Sequence, residues 1–199
     1  MVENHPKGGI IMGLFQKKNK TNISPRQALE NNYRISRANL LMVVAFTLLN
    51  VILALVGGDV YLLFSASIPY FLVFNAMFLC GKLPAEYYDF ENYIYDFYEN
   101  EFLIVMTVIA IVIIALFALF WLLSKRNTAW LIASLVLFGL DTVGMFVLFG
   151  ISADMILDIV FHAWVIYYLI LGIVAGQKLK NLPPEETVAI ERPTETDSF

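Results

Sequence analysis

The sequence predicts an all-α fold. It reads as a polytopic helical membrane bundle of four transmembrane helices plus a Pro-broken re-entrant or interfacial segment, with five transmembrane helices as the alternative. Three observations carry this. Hydrophobic residues make up 59% of the 199, and charged residues only 15%, against roughly 25% charged in average soluble domains. The charges crowd into the first 37 residues, the segment 82–101 and the last 22. The nearly uncharged runs between them match the ~20 residues that an α-helix needs to cross a hydrocarbon core of ~30 Å.

Such a composition excludes an ordinary soluble enzyme, a disordered chain and a nucleic-acid binder. Cys80 is the only cysteine, so no intramolecular disulfide can form. It reads as a small packing residue in an apolar segment.

Residues 1–37 form a basic arm. Lys7, Lys17, Lys18, Lys20, Arg26, Arg34 and Arg37 stand there against Glu3 and Glu30. A basic arm beside a first span is expected on the cytoplasmic side, facing anionic lipid. Residues 1–11 read as a mis-assigned leader. The run Met12-Gly13-Leu14-Phe15-Gln16-Lys17-Lys18 has the form of a chain start, and codons for Lys7-Gly8-Gly9 can spell a ribosome-binding sequence. The intact mass of the native protein tests this. Ser24-Pro25-Arg26-Gln27 opens a helix, with Ser24 as cap, Pro25 at the first helical position and Gln27 completing a capping box. That helix runs through Arg34 and Arg37 into the first span, about 38–56, closed by Gly57-Gly58.

The membrane bundle covers 38–181. Residues 60–81 are apolar but carry Pro69 at the centre, a candidate helix break. The remaining spans are expected at about 102–123, 129–149 and 154–176. Residues 182–199 read as a disordered, acidic, cytoplasmic tail.

Charge sets the orientation. The basic arm, Lys125-Arg126, and Lys178 with Lys180 all belong on the cytoplasmic side. The segment 82–101, with six acids against Lys82, then belongs outside. Under this assignment 60–81 begins and ends on the same side and does not cross. A break at membrane depth is tolerated only when buried in protein or lining a cavity, so a cavity or tight packing is expected near Pro69. If 60–81 crosses instead, one basic cluster lies on the wrong side. The segment 82–101 also interleaves tyrosines and phenylalanines with acids, which predicts an interfacial segment flat on the outer leaflet; a cap over a cavity is the alternative.

Asp141 lies well inside the fourth apolar run. A lone aspartate there costs about 2.5–3.5 kcal/mol on insertion scales, so it must face the interior with a partner or a proton. The turn near Ile151 and Ser152 sets Asp141 and His162 about 10.5 residues to either side, ~16 Å along each antiparallel helix. They share a depth and can meet. Asp158 precedes His162 by one helical turn, and Asp154 lies a turn further out. The candidate buried polar or proton-responsive cluster is therefore Asp141, Asp158, His162 and Asp154. As a structural clamp it holds the last hairpin together, and Asp141→Asn is then tolerated; as a proton relay it would respond to pH. Asp154 also suits a simple helix-capping role. Asn50 and Asn75 are candidates for hydrogen bonds between helices. Gly172 and Gly176 form a G-x-x-x-G helix-packing pattern that could also serve a homodimer.

No H-E-x-x-H, P-loop or G-x-S-x-G run occurs. His162 is the single membrane histidine, poor material for a zinc site, and no cofactor is expected. A dyad of His162 with Ser65 or Ser134 is conceivable, but nothing in the sequence selects it. The chain is broadly similar to small multi-pass proteins of Gram-positive bacteria, a likeness without an activity attached. The expected function is non-enzymatic: a structural, accessory or assembly bundle in the cell membrane. A proton- or cation-responsive transporter using Asp141, Asp158 and His162 is the alternative, and an intramembrane enzyme a distant third. The expected partners are the lipid bilayer and either a second copy or another membrane protein, not nucleic acid.

Overall fold

In the computed structural model, the described residues are 24–58, 60–150 and 155–183. The proposed leader, Asp154 and all but the first two residues of the acidic tail lie outside them. The described residues hold five α-helices and no strand: α1 (Pro25–Leu55), α2 (Ser67–Leu79), α3 (Asn100–Leu123), α4 (Ala129–Phe149) and α5 (Ile156–Asn181). Four of these are long and apolar enough to cross a membrane. The 13 residues of α2 reach only ~20 Å.

Ser24 and Gln27 form a reciprocal capping box at the start of α1. Ser24 Oγ accepts the Gln27 N–H, and Gln27 Oε1 accepts the Ser24 N–H, both at 3.2 Å. The helix continues unbroken for 31 residues, so Arg26, Arg34 and Arg37 stand on one rod with the first span.

α1 is the central element, packing on α2, α3 and α5, while α4 packs on α2, α3 and α5. Contacts between α1 and α5 depend on Gly172 and Gly176. A Cβ at Gly172 would collide with the Ser36 side chain. One at Gly176 would collide with Thr128 and lie 2.8 Å from Tyr33. Both glycines are buried, so the G-x-x-x-G surface is occupied within the chain and is not free for a second copy.

The basic clusters gather at one end of the bundle. Arg37 donates from Nε to Ser124 Oγ (2.9 Å) and from its guanidinium to the Trp121 carbonyl (3.3 Å), covering the last carbonyls of α3. A cation there also complements the helix dipole. Lys180 donates to Asn127 Oδ1 at 3.2 Å. The opposite end is acidic. There Ala54, Gly57 and Gly58 share a small cavity with Phe74, Leu83 and Pro84. The excursion from α1 through α2 therefore starts and finishes at this acidic end.

Pro69 does not divide a helix pair, as the sequence suggested. It sits in the first turn of α2, where its missing N–H costs nothing. Before it, residues 60–66 are non-helical, and Phe64 adopts a left-handed φ of 64°. Such a conformation costs a bulky residue about 1–2 kcal/mol. The segment is held by side chains of α1. The Asn50 amide pairs with the Leu62 backbone in both directions at 2.8 Å, and also donates to Ser65 Oγ at 2.8 Å. Thr47 Oγ1 accepts the Ala66 N–H at 2.8 Å. Asn50 thus bonds to an irregular segment rather than to a helix. Asn75, expected to reach across helices, instead donates to Phe71 O one turn back in its own helix. We expect Asn50→Leu to lower stability by about 1–3 kcal/mol, because the half-buried Leu62 N–H would lose its acceptor, while the Leu62 C=O would keep only the Ser65 hydroxyl. Thermal unfolding in detergent micelles checks this, and a change below ~1 kcal/mol would contradict it.

Part of the segment 82–101 packs back on the end of α2, with Tyr98 N–H donating to Leu79 O at 2.9 Å. Tyr88 is buried; its hydroxyl donates to Phe78 O (3.0 Å) and accepts from Leu83 N–H (3.2 Å). Its ring stacks on Phe78 and meets Tyr95 and Phe97 edge-on. Phe90, Tyr93 and Ile94 remain exposed.

Candidate functional site

The site forms where α2 begins inside the bundle. A helix start leaves backbone N–H groups unpaired, and Ala66, at the cap position of α2, supplies no side-chain acceptor. Asp141 of α4 does so from across the interface. Its Oδ2 accepts the Ser67 N–H at 2.8 Å, and its Oδ1 accepts the Ile68 N–H at 2.9 Å. The negative carboxylate also lies at the positive end of the α2 dipole. Close approach is possible because Gly144, one turn along α4, has no Cβ; a Cβ there would lie 2.6 Å from Ile68 Cδ1.

His162 completes the arrangement from α5. Its Nε2 lies 3.3 Å from Asp141 Oδ2 and 3.4 Å from Ser67 Oγ. Its Nδ1 lies 2.8 Å from the Asp158 carbonyl. A carbonyl only accepts, so Nδ1 carries a hydrogen. Nε2 then has two ways to be satisfied. A doubly protonated ring donates to Asp141, forming an ion pair; a neutral ring accepts the Ser67 hydroxyl proton. The Phe138 ring stacks on the imidazole at 4.9 Å. Asp141 and His162 are both only 3% exposed, so the contact is buried.

The other sequence candidates are placed differently. Asp158 hydrogen-bonds to His162 through its backbone carbonyl; its carboxylate makes no hydrogen bond or ion pair among the described residues, though His162 acts on it electrostatically. Asp158 lines a cavity of about 170 Å³ together with Tyr61, Ser67, Tyr70, Met145 and Phe149. Asp154 lies outside the described residues. Gly172 and Gly176 are packing positions at the far end of α5. Neither Ser65 nor Ser134 has a hydrogen bond to His162; Ser134 Oγ donates to Trp130 O, and Ser65 bonds to Asn50, Tyr61 and Leu62. Tyr61 lies outside the four long helices, and burial pushes its phenol above its ordinary pKa, partly offset by hydrogen bonds with Ser65 and Ser67.

Ser67 and Ile68, the backbone partners of Asp141, were not singled out from sequence. The signal was Ser67-Ile68-Pro69 itself: a proline close behind a serine marks a helix start as readily as a break. Among the described residues, no group of three or more His, Cys, Asp or Glu side chains could hold a metal ion. Comparison with protein-family models, curated proteins and solved structures finds no match to this chain.

Proposed function

We propose that this protein is a non-enzymatic, multi-pass membrane bundle with a structural or accessory role. In this reading α2 is a re-entrant half-helix locked at its buried start by Asp141 and His162. The observation that carries it is the full use of the Asp141 carboxylate: each oxygen accepts a backbone N–H of α2. A carboxylate committed to a helix start in a buried contact is suited to fixing a fold. The exposed faces support a bilayer setting, since Leu140, Val143 and Val147 are all more than half exposed; such side chains are at home against lipid. We place the bundle in the cell membrane with both termini cytoplasmic, following the basic end.

Two experiments test this. The first is thiol labelling in intact cells, in a Cys80→Ala background, with single cysteines at Lys82, Glu91 and Lys125. We expect Lys82 and Glu91 to label from outside and Lys125 to be protected. Labelling of Lys125 would remove the assigned orientation. The second is proton flux into liposomes carrying the purified protein. The lock reading expects flux no faster than in empty liposomes; flux that disappears in Asp141→Asn would replace it with proton transport.

A second, cation-responsive reading is favoured by one observation, the Asp158 carboxylate on the cavity wall, which makes no hydrogen bond or ion pair among the described residues.

A further inference from the structure

We propose that the cavity between the start of α2 and the acidic ends of α4 and α5 binds a small organic ammonium ion, held at the Asp158 carboxylate and against the rings of Tyr61 and Tyr70. This deepens the cation-responsive reading, but it requires no transport.

The size is suitable. The cavity holds about 170 Å³, close to the ~150 Å³ apolar cavity that accommodates benzene. The walls are mostly apolar: Met145, Met155, Phe149 and the two tyrosine rings, which lie 4.9 Å apart. Among the described residues, Asp158 is the one charged side chain lining the space, and no described Lys or Arg faces it. Asp141 and His162 face each other; His162 also interacts electrostatically with Asp158, but no salt bridge among the described residues engages the Asp158 carboxylate. The positive end of α2 would repel a cation, but Asp141 already covers it.

The chemistry of the walls selects the kind of cation. A hard metal ion needs about six oxygen ligands, whereas this cavity offers one carboxylate and the hydroxyls of Tyr61, Tyr70 and Ser67. Aromatic faces and thioethers suit a soft, weakly hydrated organic cation, which gains from the ring quadrupoles within ~6 Å. An anion is excluded by Asp158. A purely apolar guest would cover that partly buried carboxylate without offering it a partner, which is unfavourable.

Benzylammonium is the probe, and uncharged benzyl alcohol is its control. The protein, labelled with carbon-13 at its methionine methyl groups, is titrated in micelles and followed by nuclear magnetic resonance. We expect the Met145 and Met155 signals to shift saturably with benzylammonium and to stay still with the alcohol. In Asp158→Asn the affinity should fall at least tenfold while the Met42 and Met77 signals hold their positions. No saturable shift, an equal response to the alcohol, or unchanged affinity in Asp158→Asn would overturn the proposal. If Asp158→Asn fails to fold, the comparison of ammonium and alcohol on the native chain decides alone. Loss of this proposal would leave the Asp141 lock standing, because the lock does not use the Asp158 carboxylate.

Discussion

Asp141→Ala is expected to be the most damaging single change in the bundle, costing about 3–5 kcal/mol, the usual penalty for removing one partner of a buried pair. The substitution strips the Ser67 and Ile68 N–H groups of their acceptor and removes the carboxylate contact of His162 Nε2. Ser67 and His162 are buried and Ile68 is half-buried, so replacement by water is restricted. With total stability of about 5–15 kcal/mol for a typical domain, such a loss is a large fraction of the whole. Damage should begin at α2. Hydrogen exchange should show the Ser67 and Ile68 amides losing protection before the α1–α5 pair opens. Asp141→Asn should fall between native and alanine. It keeps the shape of the side chain but offers one acceptor oxygen where two N–H groups converge. The isosteric tolerance that a simple clamp suggests is therefore not expected here. If Asp141→Ala leaves both the unfolding temperature and those two amides unchanged, the lock does not exist.

Gly172→Ala and Gly176→Ala should also destabilise, each by about 2–3 kcal/mol, near the upper part of the range for overpacking a close contact. Two effects compete. Alanine is the better helix former by about 1 kcal/mol, which favours the variants. Against this, the added Cβ at either position meets another helix's side chains well inside contact distance. Relief requires α1 and α5 to separate, and the helices have no hydrophobic force between them in lipid to offset lost packing. Overpacking therefore wins. Gly139 provides the internal control, because a Cβ there has nothing within 4 Å. Gly139→Ala should stabilise by about 0.5–1 kcal/mol through helix propensity alone. Unfolding of the three variants in one detergent separates these effects. A gain at all three positions would show that α1 and α5 do not meet at the glycines.

Much of this architecture can be read from the residues. Four long apolar runs become four long helices, and Ser24-Pro25-Arg26-Gln27 becomes the capped start of α1. The spacing of Asp141 and His162 about a short turn puts them at one depth, and their side chains do meet, at 3.3 Å. These features are legible because they depend on helical rise, local capping and charge, all of which act within one segment.

The site itself is a different matter. Pro69 reads as a break until the bundle shows a helix beginning two residues before it. Asn50 and Asn75 look alike as polar residues in apolar runs, yet one holds an irregular segment and the other bonds to its own helix. Asp158 and Asp141 are both acids near His162, but one carboxylate is fully engaged and the other faces a cavity. Composition and local pattern suffice for an all-helical chain, four segments able to cross a bilayer, the basic clusters and the depth of the buried acid. What that acid holds depends on how the helices pack. A buried carboxylate is paired by whichever backbone N–H groups come within about 3 Å. Those of Ser67 and Ile68 lie more than seventy residues away along the chain, where no local period or propensity can announce them.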